Sequence, residues 1–320
     1  MGGKGTGYDL EDVDGIGPKT AQMLQAKGII SARHLALFTP EELIDITDMT
    51  PDRAEKILRS ARELVFGQKR VLKGSELVKT IQDMPRLTTG VKSIDRLLNG
   101  GLEPKATYEF AGEFGTGKTQ ICHQLAVTVQ LPRDKGGVQG ACAYIDTEEA
   151  FSPSRIEAIA KRFGIDPQQA LDNIYVIKVV NASDLEDRIK FDLVKLVEQN
   201  NVKLIVIDSI IALYRAEFKG RERLAERQQR LNYILDWLMR IAKVYNIFIV
   251  MTNQVIDIPL GYIEVKRPAG GNVLAHAVTH RLFLKKSRDD VRIMEVLDSP
   301  RLPYKSTATF RITDKGIEDA

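Results

Sequence analysis

The segment GEFGTGKT at residues 112–119 constrains the fold of this chain more than any other feature. A glycine, four free positions and then Gly-Lys-Thr form the phosphate-loop pattern, which requires a β-strand before it and an α-helix after it. The apolar run YEFAG precedes the loop and a helical pattern follows it, so the context fits. Glycines let backbone N–H groups turn inward around phosphates, and the helix N-terminus adds positive potential. A glycine-rich turn without a ligand is the alternative, and this context disfavours it.

The loop assigns chemistry to particular residues. We expect Lys118 to hold the terminal phosphates of ATP and Thr119 to ligate Mg²⁺. Asp208 ends the apolar run LIVID at 204–208 and is the candidate second metal-organising acid, with a helix cap as its alternative role. Glu148, just past another strand end, is the candidate base for the attacking water. Glu149 is its rival, and a surface carboxylate is the alternative for both.

From residue 87 to the C-terminus, strand-like runs alternate with helical segments such as 154–163 and 222–244. This order predicts an α/β core with a mainly parallel sheet flanked by helices. The predicted strands are YEFAG at 108–112, CAYIDT at 142–147, IYVIKV at 174–179, KLIVIDS at 203–209, IFIVMTN at 247–253 and HRLFLKK at 280–286.

Residues 1–66 predict a small all-helical domain. Its helices are each introduced by Pro, Ser or Thr, and we place them at 18–27, 31–37, 40–46 and 51–65. The charged stretch at 67–86 is the expected linker and oligomerisation segment, which leaves 87–320 as the core domain.

Within the helical domain, VDGIGPKTAQML at 13–24 places Gly15 and Gly17 on either side of an apolar residue just before a helix. This is a helix-hairpin-helix pattern, whose backbone N–H groups bind DNA phosphates without reading bases, and Lys19 adds charge. A helical hairpin used only for packing is the alternative. The echo IDITDMTPDRAEKI at 44–57 lacks the glycines, so we assign it to packing.

Two stretches of the core are candidates for binding single-stranded DNA. The first, YRAEFKGRERLAERQQRL at 214–231, contains five arginines, and a solvated helix face is its alternative: Arg215, Arg221, Arg223, Arg227 and Arg230. The second is the long connection at 256–272, which contains Gly270 and Gly271; long connections in compact domains are usually functional or disordered.

Composition excludes several classes of protein. The net charge of +3 is too small to identify a partner, so nucleic-acid binding must come from local basic patches. The two cysteines, Cys122 and Cys142, lack metal-type spacing and predict a reduced protein without a disulfide framework. We find no signal peptide and no apolar run near the ~18 residues of a membrane span. We therefore expect no membrane partner and a cytoplasmic location, at the nucleoid if the source is archaeal.

In combination, these motifs resemble the RecA/RadA family of strand-exchange proteins, in its archaeal and eukaryotic branch. The helix-hairpin-helix pattern, the phosphate loop, TNQV, GGNVLAHA and DSPRLP occur in that order, and the resemblance runs from about residue 8 to the C-terminus. It implies a RecA-like P-loop ATPase core behind a helix-hairpin-helix domain.

The resemblance also implies roles for residues. Lys118, Glu148 and Gln254 would be catalytic, with Gln254 linking the nucleotide to a DNA-binding loop, and Thr119 and Asp208 would bind the metal. The nucleotide-contacting set would be Gly112, Glu113, Phe114, Gly115, Thr116, Gly117, Lys118, Thr119, Gln120, Arg155, Asp298 and Pro303. In this set Arg155 packs on adenine, and Asp298–Pro303 forms a cap that a neighbouring subunit lays over ATP. The DNA-binding set would be Arg215, Arg221, Arg227, Gly270 and Gly271 with Gly15, Gly17 and Lys19.

Three departures from the family pattern affect these expectations. After Glu148 the chain reads EAFSPSR where the family has Gly-Thr-Phe-Arg-Pro-Glu-Arg. Tyr304 stands at a normally acidic position, so a K⁺ site and potassium stimulation are expected to be weak or absent. VLKG at 71–74 replaces Phe-x-x-Ala, and exchanging the docking Phe for Val71 would forfeit on the order of 1 to 2 kcal/mol per interface at ~25 cal/mol per Å².

The resulting expectation is a DNA-dependent ATPase that assembles on single-stranded DNA and exchanges it with a homologous duplex, with further copies of itself in a filament or ring and mediator proteins as partners. The altered linker supports a second interpretation, a paralogue that binds ATP and DNA without exchanging strands. A ring-forming helicase or clock-type ATPase on the same fold is a third; the N-terminal domain and the GGNVLAHA and DSPRLP segments count against it.

Overall fold

The structure is a computed structural model that describes residues 7–67, 71–220, 222–260 and 263–320, with the backbone alone for 257–260 and 263–265. It divides into two compact units, Met1–Met84 and Pro85–Ala320. Each unit is described by itself below.

The first unit is built from helices whose ends are fixed by the local sequence. They are α1 (Pro18–Ala26), α2 (Ala32–Ala36), α3 (Pro40–Thr47), α4 (Pro51–Phe66) and α5 (Gly74–Gln82). Proline begins α1, α3 and α4, where its missing N–H costs no hydrogen bond. Thr39 and Glu42 form a reciprocal capping box at the start of α3, with bonds of 2.7 and 3.2 Å. The all-helical character expected for this region is confirmed.

Helix α5 lies inside the stretch that the sequence marks as a linker, and none of its residues is buried. Leu77 and Val78 are 46% and 53% exposed, and Val71 just before the helix is 85% exposed. The segment is therefore not an irregular connection. The apolar residues at 77, 78 and 81, one helical turn apart, were the sequence signal for this helix.

The second unit is an α/β core. Its elements in chain order are α6 (Lys92–Leu97), β1 (Thr107–Gly112), α7 (Lys118–Thr128), β2 (Ala141–Asp146), α8 (Pro153–Phe163), α9 (Pro167–Asp172), β3 (Ile174–Lys178), α10 (Ala182–Asp187), α11 (Leu193–Gln199), β4 (Val202–Asp208), α12 (Ala212–Glu217), α13 (Leu224–Tyr245), β5 (Phe248–Asn253), β6 (Val255–Leu260), β7 (Ile263–Pro268), α14 (Gly271–Ala277), β8 (His280–Lys286), β9 (Val291–Asp298), β10 (Thr307–Thr313) and β11 (Gly316–Asp319). One π-helical turn, Arg188–Asp192, joins α10 to α11.

Nine strands form one sheet in the order β11-β10-β9-β8-β1-β5-β4-β2-β3. Strands β8, β1, β5, β4, β2 and β3 run parallel, and β9, β10 and β11 extend the sheet antiparallel. Every residue of β1, β2 and β5 is buried, which is typical of central parallel strands covered on both faces. The mainly parallel sheet flanked by helices is therefore confirmed.

Parallel pairing brings the carboxyl ends of the central strands to one edge of the sheet. Asp146 of β2 is opposite Asp208 of β4, and Ala111 of β1 is opposite Asn253 of β5. Ligands of open α/β sheets bind at this edge. The fold therefore gathers residues far apart in sequence at the end of the phosphate-loop strand.

The long connection predicted at 256–272 contains regular structure. Strands β6 and β7 pair antiparallel, from Val255 opposite Pro268 to Leu260 opposite Ile263, and α14 begins at Gly271. Alternating branched residues in VIDIPL and IEVKRP were the signal for these strands. No helix among the residues that the structure describes could span a membrane.

Candidate nucleotide site and nucleic-acid interface

The phosphate loop joins β1 to α7 and needs glycine for two different reasons. At Gly112 a Cβ would lie 2.6 Å from the carbonyl oxygen of Leu284 and 2.7 Å from Thr116 Oγ1, so only glycine fits. At Gly117 the backbone has φ of 101°, in the left-handed region that favours glycine. Thr116 is buried and donates to the carbonyl of Glu113 at 2.8 Å, which holds the loop closed on itself.

Lys118 begins α7 and its ammonium lies over the loop. Its Nζ donates to the carbonyl oxygens of Gly112 and Glu113, both at 2.8 Å. Burial lowers the pKa of Lys118, and the negative charges of Asp208 and Glu148 oppose this shift. A partly buried ammonium is stabilised by any further anion, such as a phosphate group.

Asp208, the last residue of β4, is only 3% exposed and both of its carboxylate oxygens are engaged. Tyr144 donates to Oδ2 at 2.9 Å, and Thr252 donates to Oδ1. Burial raises the pKa of the Tyr144 hydroxyl well above its usual range, so the tyrosine stays a donor. The two hydroxyls fix the orientation of the carboxylate.

Glu148 is carried by a turn that Asp146 organises. The Asp146 carboxylate accepts hydrogen bonds from the backbone N–H groups of Glu148, Ala150 and Phe151 at 3.3, 3.0 and 3.0 Å. The ring of Phe151 packs edge-on against those of Tyr144 and His123, with centroids 5.1 and 5.6 Å away. The turn EAFSPSR is thus anchored despite its departure from the family pattern.

The carboxylate of Glu148 lies in a hydrogen-bonded chain that ends at a loop arginine. Ser209 donates to Glu148 Oε1 at 2.6 Å and Gln254 Nε2 donates to the same oxygen at 3.0 Å. The side-chain oxygen Oε1 of Gln254 accepts from Arg215 Nη1 at 3.2 Å. The described side chains therefore connect Glu148 to Arg215 through Gln254 alone. Glu148 and its rival Glu149 are both exposed, and the hydrogen bonds from Ser209 and Gln254 end on Glu148; Glu149 has φ of 55°.

The hairpin β6–β7 is tied to the same region at two points. Lys266 of β7 forms an ion pair with Glu113 in the phosphate loop, and this contact lowers the pKa of Glu113. At the base of the hairpin, Asn253 Nδ2 donates to the carbonyl of Ala269 at 2.8 Å and to Glu109 Oε1 at 2.6 Å. A displacement of the hairpin would therefore be felt at β1 and at the loop that follows it.

These elements enclose a cavity of about 590 Å³, within the range of small-ligand sites. Most of the residues predicted to bind the nucleotide line it: Gly112, Glu113, Phe114, Gly115, Gly117, Lys118, Thr119, Gln120, Glu148, Asp208 and Gln254. Sequence reasoning missed four residues that hold this arrangement, Asp146, Tyr144, Ser209 and Thr252. A tyrosine inside a buried strand needs a partner for its hydroxyl, so Tyr144 carried a usable signal.

Four residues of the predicted nucleotide set lie outside the cavity lining: Thr116, which is buried, and Arg155, Asp298 and Pro303. Arg155 on α8 donates to Gln120 Oε1 at 2.9 Å and to the carbonyls of Thr313 and Asp314 at 2.8 and 3.0 Å. Arg155 therefore contacts Gln120, which lines the cavity, but does not line the cavity itself. Asp298 is the last residue of β9, Pro303 lies between β9 and β10, and both are exposed.

Thr119 and Asp208 both line the cavity with oxygen ligands. Mg²⁺ prefers one or two protein oxygens together with water and substrate phosphates, so these two residues fit such an ion. Among the described residues, no group of three or more His, Cys, Asp and Glu side chains could hold a metal. The chemistry suits an ion that arrives with a nucleotide.

The arginine-rich segment divides into two groups. Arg223 and Arg230 lie against the ring of Phe218, with guanidinium carbons 4.5 and 5.1 Å from its centroid, although the Arg223 side chain stays 47% exposed and pairs with Glu226. Glu186 accepts two hydrogen bonds from Arg230, at 3.0 and 2.9 Å, and one from the hydroxyl of Tyr214 at 3.0 Å. Tyr214 and Phe218 are 0% and 2% exposed, so neither offers a stacking surface.

The remaining arginines of this segment are the candidates for DNA. Arg215 is exposed, and Arg227 donates weakly to the carbonyl of Phe218 at 3.4 Å. Arg221 lies outside the described residues. Gly270 and Gly271, with φ of 89° and 61°, begin α14 at the base of the hairpin.

In the first unit, Gly15, Gly17 and Lys19 are exposed at the start of α1, while Ile16 between the glycines is buried. Gly15 has φ of 91°, and Gly17 precedes the first residue of the helix. This is the turn that a helix-hairpin-helix requires.

Comparison with protein families resolves the identity of the core. The Rad51 family matches residues 80–320. The chain belongs to this family. A SAM-like helix-hairpin-helix tandem matches residues 8–63, so the Rad51 core is preceded by a second recognisable module.

The Rad51 assignment is supported along the whole chain by curated relatives, each named DNA repair and recombination protein RadA. The relative from Aeropyrum pernix is 44% identical over 312 residues, which is 97% of each chain. That from Ignicoccus hospitalis is 45% identical over 316 residues, 97% of this chain and 95% of the relative. That from Cenarchaeum symbiosum is 39% identical over 317 residues, 98% of this chain and 79% of the relative.

Proposed function

We propose that this protein is a recombinase of DNA repair and homologous recombination, which binds single-stranded DNA with ATP and pairs it with a homologous duplex. The observation that carries the proposal is the chain of hydrogen bonds from Ser209 through Glu148 and Gln254 to Arg215, at 2.6, 3.0 and 3.2 Å. It joins a carboxylate in the nucleotide cavity to an exposed arginine, as a DNA-dependent ATPase requires.

The phosphate loop and Lys118 are the proposed binding groups for ATP. The loop N–H groups and the start of α7 provide positive potential, and a phosphate would offset the burial that lowers the pKa of Lys118. Thr119 and Asp208 would hold Mg²⁺, which neutralises negative charge developing on the phosphates.

Glu148 is the proposed general base. Both described hydrogen bonds to its side chain end on Oε1, so Oε2 remains to accept a proton from an attacking water. Ser209 and Gln254 fix the carboxylate in place. Because Gln254 also holds Arg215, an arginine that moves toward a DNA phosphate would alter the position of the base.

DNA is proposed to lie against Arg215, Arg227 and the end of the hairpin near Gly270, with the helix-hairpin-helix as a second, non-specific contact. Contacts of this kind hold the backbone and leave the bases free. Homology would then be read by base pairing between the strands, as in other systems where pairing selects the sequence. Acting on chromosomal DNA, the protein would work at the nucleoid.

Filament assembly is part of the proposal and depends on the linker. Here a specific observation favours a second candidate function, a paralogue that binds ATP and DNA without exchanging strands: Val71, at the position of the family's docking Phe, is a smaller side chain and is 85% exposed. Restoring the motif with Val71→Phe and Gly74→Ala distinguishes the two. If the protein is a recombinase, this variant should show little increase in strand-exchange activity. If it is a paralogue limited by assembly, the variant should acquire strand-exchange activity that the wild type lacks.

The proposal is tested by ATP hydrolysis with and without single-stranded DNA, using Glu148→Gln with Glu149→Gln as the matched control. We expect DNA to stimulate wild type and Glu149→Gln alike. Glu148→Gln should bind ATP and lose about 10²- to 10⁴-fold in turnover, the usual contribution of a general base. Equal losses in both variants would remove Glu148 from its proposed role.

A further inference from the structure

A buried carboxylate outside the nucleotide cavity gathers three basic side chains. Glu103 is 6% exposed and precedes β1. Its Oε1 lies 2.8 Å from His280 Nε2 and 2.5 Å from Arg301 Nη2, and its Oε2 lies 3.3 Å from Arg86 Nη1. These partners come from the start of β8, from the segment between β9 and β10, and from the first residues of the core.

The surroundings keep Glu103 ionised. Burial raises its pKa, but the hydrogen bond from His280 and the charges of Arg301 and Arg86 outweigh that effect, so the pKa lies below the usual value. A buried charge is tolerated only where its partners are held in place. The ring of His280 stacks on Tyr108 with centroids 4.6 Å apart, and the Tyr108 hydroxyl accepts from the backbone N–H of Glu103 at 2.9 Å.

Proton counting extends this network to Ser299. The Ser299 hydroxyl accepts hydrogen bonds from the backbone N–H groups of Arg301 and Leu302, at 3.1 and 2.9 Å. Its own proton is therefore available for His280 Nδ1, 2.9 Å away. A serine hydroxyl has one proton, so we assign Nδ1 as the acceptor and place the ring proton on Nε2, where it donates to Glu103.

The result is a relay that runs from Glu103 through His280 to Ser299, and from Ser299 to the backbone of the turn at 299–302. Arg301 closes the loop, since its side chain returns to Glu103. The turn is thereby fixed at Ser299 to His280, the first residue of β8, and at Arg301 to Glu103, which precedes β1. What the turn presents outward is Asp298 and Pro303, both exposed.

We propose that Glu103, His280 and Ser299 are positioning residues that preorganise the segment Asp298–Pro303 for contact with ATP held by a second copy of this chain. This inference rests on the proposed function and on the family resemblance, which implies that this segment caps a nucleotide held by a neighbouring subunit. A loop fixed before binding loses less conformational freedom when it binds, so preorganisation raises affinity without adding a contact. The relay would act only between assembled subunits, because the residues it positions do not line the cavity of their own chain.

The test replaces the hydroxyl at the centre of the relay. In Ser299→Ala the three hydrogen bonds to this oxygen are lost, while the ion pairs of Glu103 remain. We expect the KM for ATP on saturating single-stranded DNA to rise about tenfold, equivalent to about 1.4 kcal/mol. Ser299→Thr, which keeps the hydroxyl, should restore most of the affinity. Ser183→Ala, on the exposed face of α10, is the matched control.

A second measurement separates positioning from general damage. The affinity of dilute, DNA-free protein for a fluorescent ATP analogue reports only the phosphate loop of the same chain. We expect Ser299→Ala to match wild type there and to unfold at the same temperature. Equal weakening in the dilute and assembled states would show a merely structural role and overturn the proposal.

Arg301→Gln provides an independent check, because it releases the same turn from Glu103 and should also raise KM only in the assembled state. If wild type shows DNA-stimulated hydrolysis and neither variant changes its KM, the relay proposal fails while the proposed function stands. If wild type shows no DNA-stimulated hydrolysis, the proposed function fails, and the relay proposal falls with it.

Discussion

Replacing Gln254 with alanine removes the one side chain that bridges Arg215 and Glu148 in the described structure. It deletes the bond from Nε2 to Glu148 Oε1 at 3.0 Å and the bond from Arg215 Nη1 to the amide oxygen at 3.2 Å. The phosphate loop and the two residues proposed to bind Mg²⁺, Thr119 and Asp208, keep their contacts. The variant therefore removes the connection and leaves both of the sites that it joins.

The magnitude follows from these two bonds. Hydrogen bonds to charged groups contribute about 1.5 to 3 kcal/mol each when buried, and at this partly exposed position we take about 1 kcal/mol each. A coupling free energy of about 2 kcal/mol corresponds to a factor of about 30. We expect the ratio of turnover with DNA to turnover without DNA to fall by about 10- to 30-fold in Gln254→Ala.

The assay is steady-state ATP hydrolysis over a range of single-stranded DNA concentrations. Gln168→Ala is the control, because Gln168 makes a comparable bond to a carboxylate, Asp172, on the exposed face of α9. A double-mutant cycle with Arg215→Gln tests this route. Substitutions within one hydrogen-bonded network have non-additive effects, so the double variant should lose little more DNA stimulation than either single variant. Full DNA stimulation in Gln254→Ala, or additive losses in the cycle, would refute this coupling route.

Three further outcomes are expected. Glu186→Gln should lower the free energy of unfolding, measured by urea denaturation, by about 1 to 2 kcal/mol. Breaking a fully buried ion pair costs ~3 to 5 kcal/mol, and we expect less here because Arg230 is 29% exposed. An unchanged urea midpoint would contradict this. Burial lowers the pKa of His123 to about 4, below the unfolded value of about 6.5. Its contribution of about 3 kcal/mol to the free energy of unfolding is therefore complete above pH 6.5 and is lost as the pH falls toward 4. His123→Gln should flatten that part of the stability profile, and a profile as steep as wild type would assign the slope elsewhere. A plot of the logarithm of the DNA association constant against the logarithm of the salt concentration should have a slope of about −2 if the three predicted loop arginines, Arg215, Arg221 and Arg227, contact phosphates of a single strand. A flat response would argue against binding through the DNA backbone.

The architecture was largely predictable because it depends on local patterns. Alternating apolar runs predicted the six parallel strands of the core, and proline, serine and threonine marked the starts of α1 to α4. The phosphate loop required a strand before it and a helix after it, and β1 and α7 are there. Residues at strand ends, such as Asp208, followed from the rule that parallel strands share a functional edge.

The remaining features depend on which side chains meet in space, and a single sequence does not reveal this. Composition cannot tell that Arg230 turns inward to Glu186 while Arg215 stays exposed, since both lie in one arginine-rich segment. Asp146, 62 positions before Asp208, gains its role only from the register of β2 against β4. The contact of Glu103 with His280 likewise needs the pairing of β1 with β8.

The central claim is that ATP drives this protein to exchange DNA strands. It is tested most directly by joint-molecule formation between single-stranded DNA and a homologous duplex, in the presence of ATP and Mg²⁺, with Lys118→Ala as the control. The account predicts joint molecules with wild type, none with Lys118→Ala and none with a heterologous duplex. A wild-type protein that hydrolyses ATP on DNA and yet forms no joint molecules would contradict it, and would favour a paralogue whose altered linker at Val71–Gly74 prevents productive assembly.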